Sequence, residues 1–370
     1  MAKTNSLSVL LDPSGQMLLS ELFAGVIENI QKSTVSGRIK NTDLSGDPNA
    51  GSVEAKRFKN ANSKSYGTAR SGGSGDKIKG KPVTINIDTD REFVEEIEEK
   101  DVSLLGVPGL LAKRAANHQA RLAAELDQTF FAVAISEGTG KVLTGSTIAA
   151  KIEEMILALE TTKNDYIDGI PRDMISVTCS PAIYSEMRNL LDTIEKSNVT
   201  TDIEEFNKFH GCRIWSSNRL PSNVDFIVMV DGSVAQPVMA NPYSAEKIPL
   251  SEAYAVSLFF HYGTKCVMDD LILYYATAAG VTVSSAAGTT TGKTALTVDP
   301  VSAGTGRSFV YKTAATVTMP KVGENLTSWT AWNGTDEITA TTGNQIVVAI
   351  VDSTSRLCKM AGSATVAAKA

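Results

Sequence analysis

"KPVTINIDTDREFVEEIEEKDV", Lys81 to Val102, is the stretch on which the fold turns, and it changes character half-way. "VTINI" alternates apolar and polar residues with the period of a β-strand. The remainder is acidic: Asp88, Asp90, Glu92, Glu95, Glu96, Glu98, Glu99 and Asp101 stand against Arg91 and Lys100. This part reads as a helix. Asp88 or Thr89 can cap it, acids in the first turn suit the helix dipole, and Phe93, Val94 and Ile97 make one apolar stripe. Neither cysteine nor histidine lies in the stretch to suggest chemistry.

Upstream, residues 36–81 are rich in Gly, Ser, Asn and Lys, with too few apolar residues to fold as a free globule. Two alternating pieces, "SVEAKRF" and "KSYGTAR", are separated by turn formers and predict a long two-stranded ribbon. The ribbon is basic, carrying Lys56, Arg57, Lys59, Lys64, Arg70, Lys77, Lys79 and Lys81. A loop of this length in a compact domain serves a function or a partner. Before it, Leu18, Leu22, Phe23, Val26, Ile27 and Ile30 recur at helical steps, predicting a helix packed on its own domain or on a neighbouring subunit.

Downstream, "PGLLAKRAANHQARLAAELDQTFFAVAISEG", Pro108 to Gly138, has proline at its start and glycine at its end, the asymmetry of a helix. Leu111, Ala115, His118, Leu122, Leu126, Phe130 and Val133 align along one side, and such a helix runs ~40 Å at 1.5 Å per residue. "TIAAKIEEMILALETTK" predicts a second helix, and "RDMISVTCSPAIYSEMRNLLDT" a strand followed by a helix. "EEFNKFHGCRIWSSNRLP" and "DFIVMVDGSVAQPVMA" supply further strands. "AYAVSLFFHYGTKCVMDDLILYYAT" supplies two aromatic strands joined at His261–Gly263. Helices and strands mix without βαβ alternation, so the fold class is α+β. From Ala279 onward Thr, Val, Gly, Ser and Ala dominate. The short strands "TALTV", "SFVYK", "TVTM", "SWTAW", "EITAT", "QIVVAIVD", "RLCKM" and "ATVAA" predict a small all-β, sandwich-like domain over 279–370.

The chain has 370 residues, 42% hydrophobic and 21% charged, enough for a sizeable core. A net charge of -6 argues against a protein that coats nucleic acid, whose phosphates need a basic surface. Cys179, Cys212, Cys266 and Cys358 are far apart and read as thiols of a reducing compartment. "MAKTNSLSVLLDPSG" lacks a signal-peptide core, and no apolar run reaches the ~20 residues of a membrane span, so a cytoplasmic protein is expected.

Candidates for chemistry are weak. His210 and Cys212 could form a thiol–imidazole pair, but such partners usually come from separate elements, so a structural cysteine is expected. His118 reads as a packed histidine. Asp269-Asp270 could grip a cation but reads as a solvated turn, and "GSGDKIKGK" lacks the phosphate-loop pattern. No catalytic residue, cofactor site or metal site is expected.

In this order, an amphipathic arm, a basic ribbon, the acidic segment, a long helix and a mixed α/β part resemble the major capsid proteins of tailed bacteriophages, with the Hong Kong ninety-seven-type fold. "KPVTINIDTDREFVEEIEEKDV" looks like the return of the extended loop to the peripheral domain. "PGLLAKRAANHQARLAAELDQTFFAVAI" looks like the spine helix, and "SVTCSPAIYSEMRN", "GCRIWSSNRLP" and "DFIVMVDGSVAQPV" look like the axial domain. The resemblance covers residues 1–278. It implies an N-terminal arm over 1–35, an extended loop over 36–82, a peripheral domain over 83–172 and an axial domain with returning peripheral strands over 173–278. Residues 279–370 are an addition to that core. It further implies hexamers and pentamers of one subunit in an icosahedral shell around double-stranded DNA, contacted non-specifically. The virion forms in the host bacterial cytoplasm, with no membrane. No coiled coil precedes the arm, so a separate scaffolding protein and a portal are the expected partners. Some relatives crosslink a loop lysine to an asparagine; Lys56, Lys59 and Lys64 are loop lysines, with no identifiable asparagine or glutamate partner.

On this reading the basic ribbon reaches over a neighbour's Glu92, Glu95, Glu96 and Glu99. Complementary fields fix register more than they add affinity, each exposed pair giving ~0–1 kcal/mol. Competing expectations are a nanocompartment shell enclosing enzymes, an α+β enzyme centred on His210 and Cys212, and a surface adhesin suggested by residues 280–370.

Overall fold

The computed structural model describes residues 6–61, 63, 65–67, 78–102, 106–192 and 208–370. A 3-10 turn, Leu7–Leu11, leads into helix α1 (Pro13–Ser33), with Pro13 where its missing N–H costs nothing. A single turn, α2 (Ser36–Ile39), follows. Strands β1 (Ser52–Phe58) and β2 (Gly80–Asn86) pair antiparallel, Ser52 opposite Asn86 and Phe58 opposite Gly80. "SVEAKRF" is therefore a ribbon strand as expected, but its partner is "GKPVTIN". In "KSYGTAR", Tyr66 and Gly67 form a turn, while Lys64 and Arg70 lie outside the described residues.

The acidic segment is a strand, β3 (Thr89–Ile97), where the sequence predicts a helix. It pairs along its whole length with the strand Tyr254–Tyr262, from Thr89 opposite Tyr262 to Ile97 opposite Tyr254. Its sequence also carries period two: Phe93, Glu95 and Ile97 turn inward, and Glu92, Val94 and Glu96 outward. A full ladder with an inward apolar edge outweighs a cap and a dipole contribution of ~1 kcal/mol each.

A short turn, α3 (Glu99–Val102), precedes α4 (Gly106–Glu137), which at 32 residues runs ~48 Å. Leu111, Ala115, His118, Leu122, Leu126 and Phe130 are buried as expected; near its end the stripe moves from Val133 to Phe131 and Ala134. Helix α5 (Ile148–Glu160) is capped by Thr147, whose hydroxyl accepts from Ala150 N at 3.2 Å. Then come β4 (Ile175–Cys179), α6 (Pro181–Asp192), β5 (Cys212–Ser216), β6 (Val224–Val230), β7 (Val238–Ala240), β8 (Ser244–Lys247), β9 (Tyr254–Tyr262) and β10 (Ile272–Ala276).

Two sheets organise this part. In one, β9 is central, flanked by β3 on one side and by β7 and β8 on the other, and packed on α1 and α4. The other runs Thr139–Gly140, β10, β6, β4, β5, Lys208–Phe209, with α5 against it. Strands β9 and β10 thus belong to different sheets and do not form the hairpin that their adjacency suggests. The chain leaves β9 at Gly263, where a β-carbon would lie 1.8 Å from Asn86 O, so the ribbon's base admits only glycine there. Leu122 and Leu126 of α4 pack under the first sheet, and Phe130, Phe131 and Ala134 against Ile227 and Ile272 of the second. The long helix is a strut between the two sheets. Among the described residues no helix is long and apolar enough to cross a membrane.

Beyond Ala278 come β11 (Thr282–Ala287), β12 (Lys293–Asp299), β13 (Arg307–Ala314), β14 (Thr330–Trp332), β15 (Gln345–Asp352) and β16 (Cys358–Thr365). They form a three-stranded sheet, β11, β12 and Ile338–Thr339, facing a four-stranded sheet in the order β14, β13, β15, β16. Strand β15 is apolar on both faces for a reason. Ile346, Val348 and Ile350 face the first sheet, while Val347, Ala349 and Val351 are covered by Val317, Leu326 and Trp329. "TVTM" is accordingly a covering segment rather than a strand, with Val317 N donating to Gln345 Oε1 at 2.9 Å. "RLCKM" and "ATVAA" contribute to one strand, β16, and β11 carries no alternation that marks it in the sequence. The molecule is α+β, with this all-β part at its C-terminal end.

Candidate assembly surface

The ribbon has a packed side and an open side. Val53, Ala55 and Ile85 sit on Ala235 and Val267 of the body. Farther out on that side, Arg57 donates to both oxygens of Asp270 at 2.6 and 2.9 Å and lies 4.6 Å over the Tyr166 ring. Asn164 Nδ2 adds a bond to Asp270 at 2.6 Å. Burial alone would raise the Asp270 carboxyl, yet the Arg57 guanidinium holds it below the usual carboxylate range. Lys59 is paired with Asp165, and Lys56 with Glu54 at 3.3 Å. Lys79 and Lys81 are exposed and make no ion pair among the described residues. Lys64, Arg70 and Lys77 lie outside those residues. Beside these lysines Phe58 is 55% and Ile78 88% exposed, so the ribbon's far end is both basic and apolar.

The acidic strand is two-faced. Glu95 points into the subunit, pairing with Arg114 and lying 3.3 Å from His118 Nε2. Arg114 holds the Glu95 carboxyl below its ordinary range. His118 is buried, stacked on Phe93 at 4.7 Å, with Nδ1 2.9 Å from the Tyr243 hydroxyl. Glu95 therefore serves within the subunit. The outward acidic set is Glu92 and Glu96, with Glu99 at the start of α3, and among them Val94 is 54% exposed. Phe259, opposite Glu92, adds a second exposed apolar side chain. The sequence signal for this split is the period-two spacing of Phe93, Glu95 and Ile97, with Arg114 and His118 four residues apart on α4.

Motifs distant in sequence meet at Asp127. Its buried carboxylate accepts from Val35 N at 3.3 Å, Ser36 N at 2.9 Å and Arg219 Nη1 at 2.7 Å. One side chain on the strut thus fixes the end of the arm and the "SSNRLP" loop, a joint that sequence spacing does not reveal. At the weak chemical candidates, His210 Nδ1 lies 2.6 Å from Glu153 Oε2, and burial pushes the Cys212 thiol up to about 11, opposite to what a nucleophile needs. Asp270 is engaged by Arg57 and Asn164. Among the described residues no group of three or more His, Cys, Asp or Glu could hold a metal ion.

Residues 286–369 match the family described as S-layer protein SbsC C-terminal domain. No curated protein matches the chain. Among solved structures, the chain is similar to one from Mycobacterium phage Che8, at 20% identity and a TM-score of 0.48, covering 65% of this chain and 90% of that one. It is similar to the capsid structure of the cyanophage P-SCSP1u, at 16% identity and a TM-score of 0.46, covering 64% and 84%. It is also similar to a virus-like particle from Pyrococcus furiosus, at 11% identity and a TM-score of 0.44, covering 69% and 97%. Over 64–69% of its length this chain thus resembles phage and virus-like-particle structures, and at its C-terminal end an S-layer domain.

Proposed function

We propose that this chain is the repeating subunit of a closed shell, a major capsid protein of the tailed-phage kind. It assembles through hexamers and pentamers into an icosahedral container for double-stranded DNA. The observation that carries the reading is a pair of complementary, exposed surfaces that make no ion pair with each other among the described residues. The ribbon's far end presents Phe58, Ile78, Lys79 and Lys81; the outer face of β3 and β9 presents Glu92, Val94, Glu96 and Phe259. Strand β2 runs directly into β3, and the ribbon's described end lies at the opposite end of β2, so the two surfaces lie apart along one run of chain. Burying such patches between copies favours association, and opposite charges fix the register.

On this reading residues 1–35 are the arm, 36–82 the extended loop, 83–172 the peripheral domain and 173–278 the axial domain with returning strands. Residues 279–370 are a surface projection or a clamp between capsomers. The role is structural rather than catalytic, the residence is the virion, and a separate scaffolding protein and a portal complete the assembly in the host cytoplasm. Expression of the chain alone and with a candidate scaffolding protein, followed by electron microscopy and extraction of nuclease-protected nucleic acid, tests this. Closed particles holding double-stranded DNA from infected cells are the expected result. A chain that stays monomeric under every condition overturns the shell, and particles filled with enzyme instead of DNA overturn the cargo.

A further inference from the structure

The hairpin between β8 and β9 ends in a leucine that its own subunit does not use. Leu250 has φ 60° and is fully exposed. The left-handed region is unfavourable for a branched side chain, and glycine or asparagine would make the same turn without strain. The turn itself is well closed, with Ile248 N donating to Ala253 O at 3.0 Å and Ser251 N to Ile248 O at 3.2 Å. An exposed Pro249 precedes Leu250, and an exposed Glu252 stands two residues after it.

At the other end of the same sheet is a cavity of 330 Å³ with an apolar wall, Phe23 and Ile27 of α1, Leu122 and Leu126 of α4 and Val238 and Ala240 of β7, and a polar one that includes Thr34, Ser36 and Gln236. That volume falls in the ~300–1,000 Å³ range of sites that accept a ligand group. Lys40 also lines it. Lys40 Nζ donates to Gln236 O at 3.2 Å, and among the described residues no carboxylate lies within ion-pair distance. Burial lowers its pKa, as expected for an ammonium short of a compensating charge.

We propose that the Leu250 tip of one copy docks in the α1–α4–β7 cavity of a second copy, with Glu252 meeting Lys40. The occupant is a second copy because the tip carries the carboxylate that Lys40 lacks, Glu252 two residues from the exposed Leu250, and cannot reach the cavity of its own subunit. The tip leaves β9 at Tyr254, whereas β7 pairs with the far end, Val238 opposite Tyr262. Nine residues of strand separate the two by ~30 Å. Knob and hole at opposite ends of one sheet make a heterologous, head-to-tail contact, the kind that generates rings when the rotation closes. The contact rests on the self-association proposed above but involves neither the ribbon nor the outward acids.

The test uses two variants of the full chain. Leu250→Gly removes the side chain and relieves the backbone, so its melting temperature is expected to equal or exceed the wild type. The protein concentration required for assembly is expected to rise about tenfold or more, the effect of losing one buried leucine from an interface. Leu250→Cys combined with Ile27→Cys is expected to give disulfide-linked multimers on oxidation of associated protein, with neither single change doing so. Assembly of Leu250→Gly at the wild-type threshold, or failure of the double-cysteine chain to crosslink within associated protein, overturns the contact and leaves the shell standing. Crosslinked chains without closed particles establish the contact and overturn the shell. A chain that never associates overturns both.

Discussion

Lys321 Nζ lies 2.7 Å from Asp225 Oδ2 and 2.8 Å from Thr277 Oγ1, and 4.6 Å from the centroid of the Tyr275 ring. Lys321 belongs to the segment that covers the C-terminal sandwich, and its three partners belong to β6, β10 and the residue after β10. A register shift between Val224 and Phe226 interrupts the ladder at Asp225; such an irregularity re-aims a side chain. Backbone bonds flank the lysine, Ala278 N to Pro320 O at 2.8 Å and Val322 N to Ala276 O at 3.0 Å. The C-terminal domain is docked on the six-stranded sheet rather than tethered to it.

Lys321→Ala should loosen that joint and leave both sides folded. The ion pair is partly solvated, so its loss should cost about 1 kcal/mol. Hydrogen exchange of the Ala278 and Val322 amides should quicken roughly fivefold while amides in the centre of β15 keep their protection. Equal quickening throughout the sandwich would show that the lysine supports the fold of the domain and not its docking.

A chain ending at Thr277 should still fold and still form shells. The clusters under β9 and β4 draw no residue from beyond Ala278, so their burial survives truncation. What is lost is the cover over Asp225 and Tyr275, and the shells should be less robust to heat or denaturant. If the truncated chain fails to give a cooperative melt, the division at Ala279 is wrong.

How much of this was legible in the sequence depended on whether one element alone decided the outcome. Helix α4 was legible because Pro108, Gly138 and a continuous stripe agree, and β15 because its apolar run admits little else. The acidic strand was not. Asp88–Glu99 satisfies every local rule for a helix, and only the nine-residue partner strand, more than 150 positions away, makes it a strand. The same long-range pairing decides which glutamates face outward: the period-two spacing of Phe93, Glu95 and Ile97 separates Glu95 from Glu92 and Glu96 only once the segment is a strand. Asp127 and Arg219 were visible as residues of the family-like motifs, but their meeting with Ser36 depends on the arm's path across α4.

Glu95 gives the subunit an acid-sensitive joint. Its carboxyl is held below the ordinary value of 4.5, chiefly by the bond from Arg114 and with help from His118, against burial, which acts the other way. A depressed folded-state pKa contributes stability that is present above the unfolded value and lost as pH falls through the folded one. Glu95→Gln should therefore cost about 1–2 kcal/mol at neutral pH, after allowance for the solvent exposure of Arg114, and flatten the acid limb of stability. Urea titrations between about pH 3 and pH 7 check this. An acid limb as steep as the wild type would place the titrating group elsewhere.

The outward acids should behave oppositely. Glu92→Lys with Glu96→Lys changes exposed side chains that have no ion pair among the described residues, so monomer stability should move by no more than ~0.5 kcal/mol. Assembly should suffer, because two attractions to a neighbour's ribbon become repulsions at every copy of the contact. Adding Lys79→Glu and Lys81→Glu to the same chain reverses the ribbon as well, and assembly should return because each reversed surface again meets its complement. Raised salt should narrow the gap between the double variant and the wild type, since exposed charges are screened beyond ~10 Å at 0.1 M. Light scattering during assembly, with circular dichroism melts of the monomers, reads all three chains. Wild-type assembly by the double variant would exclude the ribbon–strand pairing. Failure of the fourfold variant, with its monomer intact, would assign the outward acids a partner other than Lys79 and Lys81.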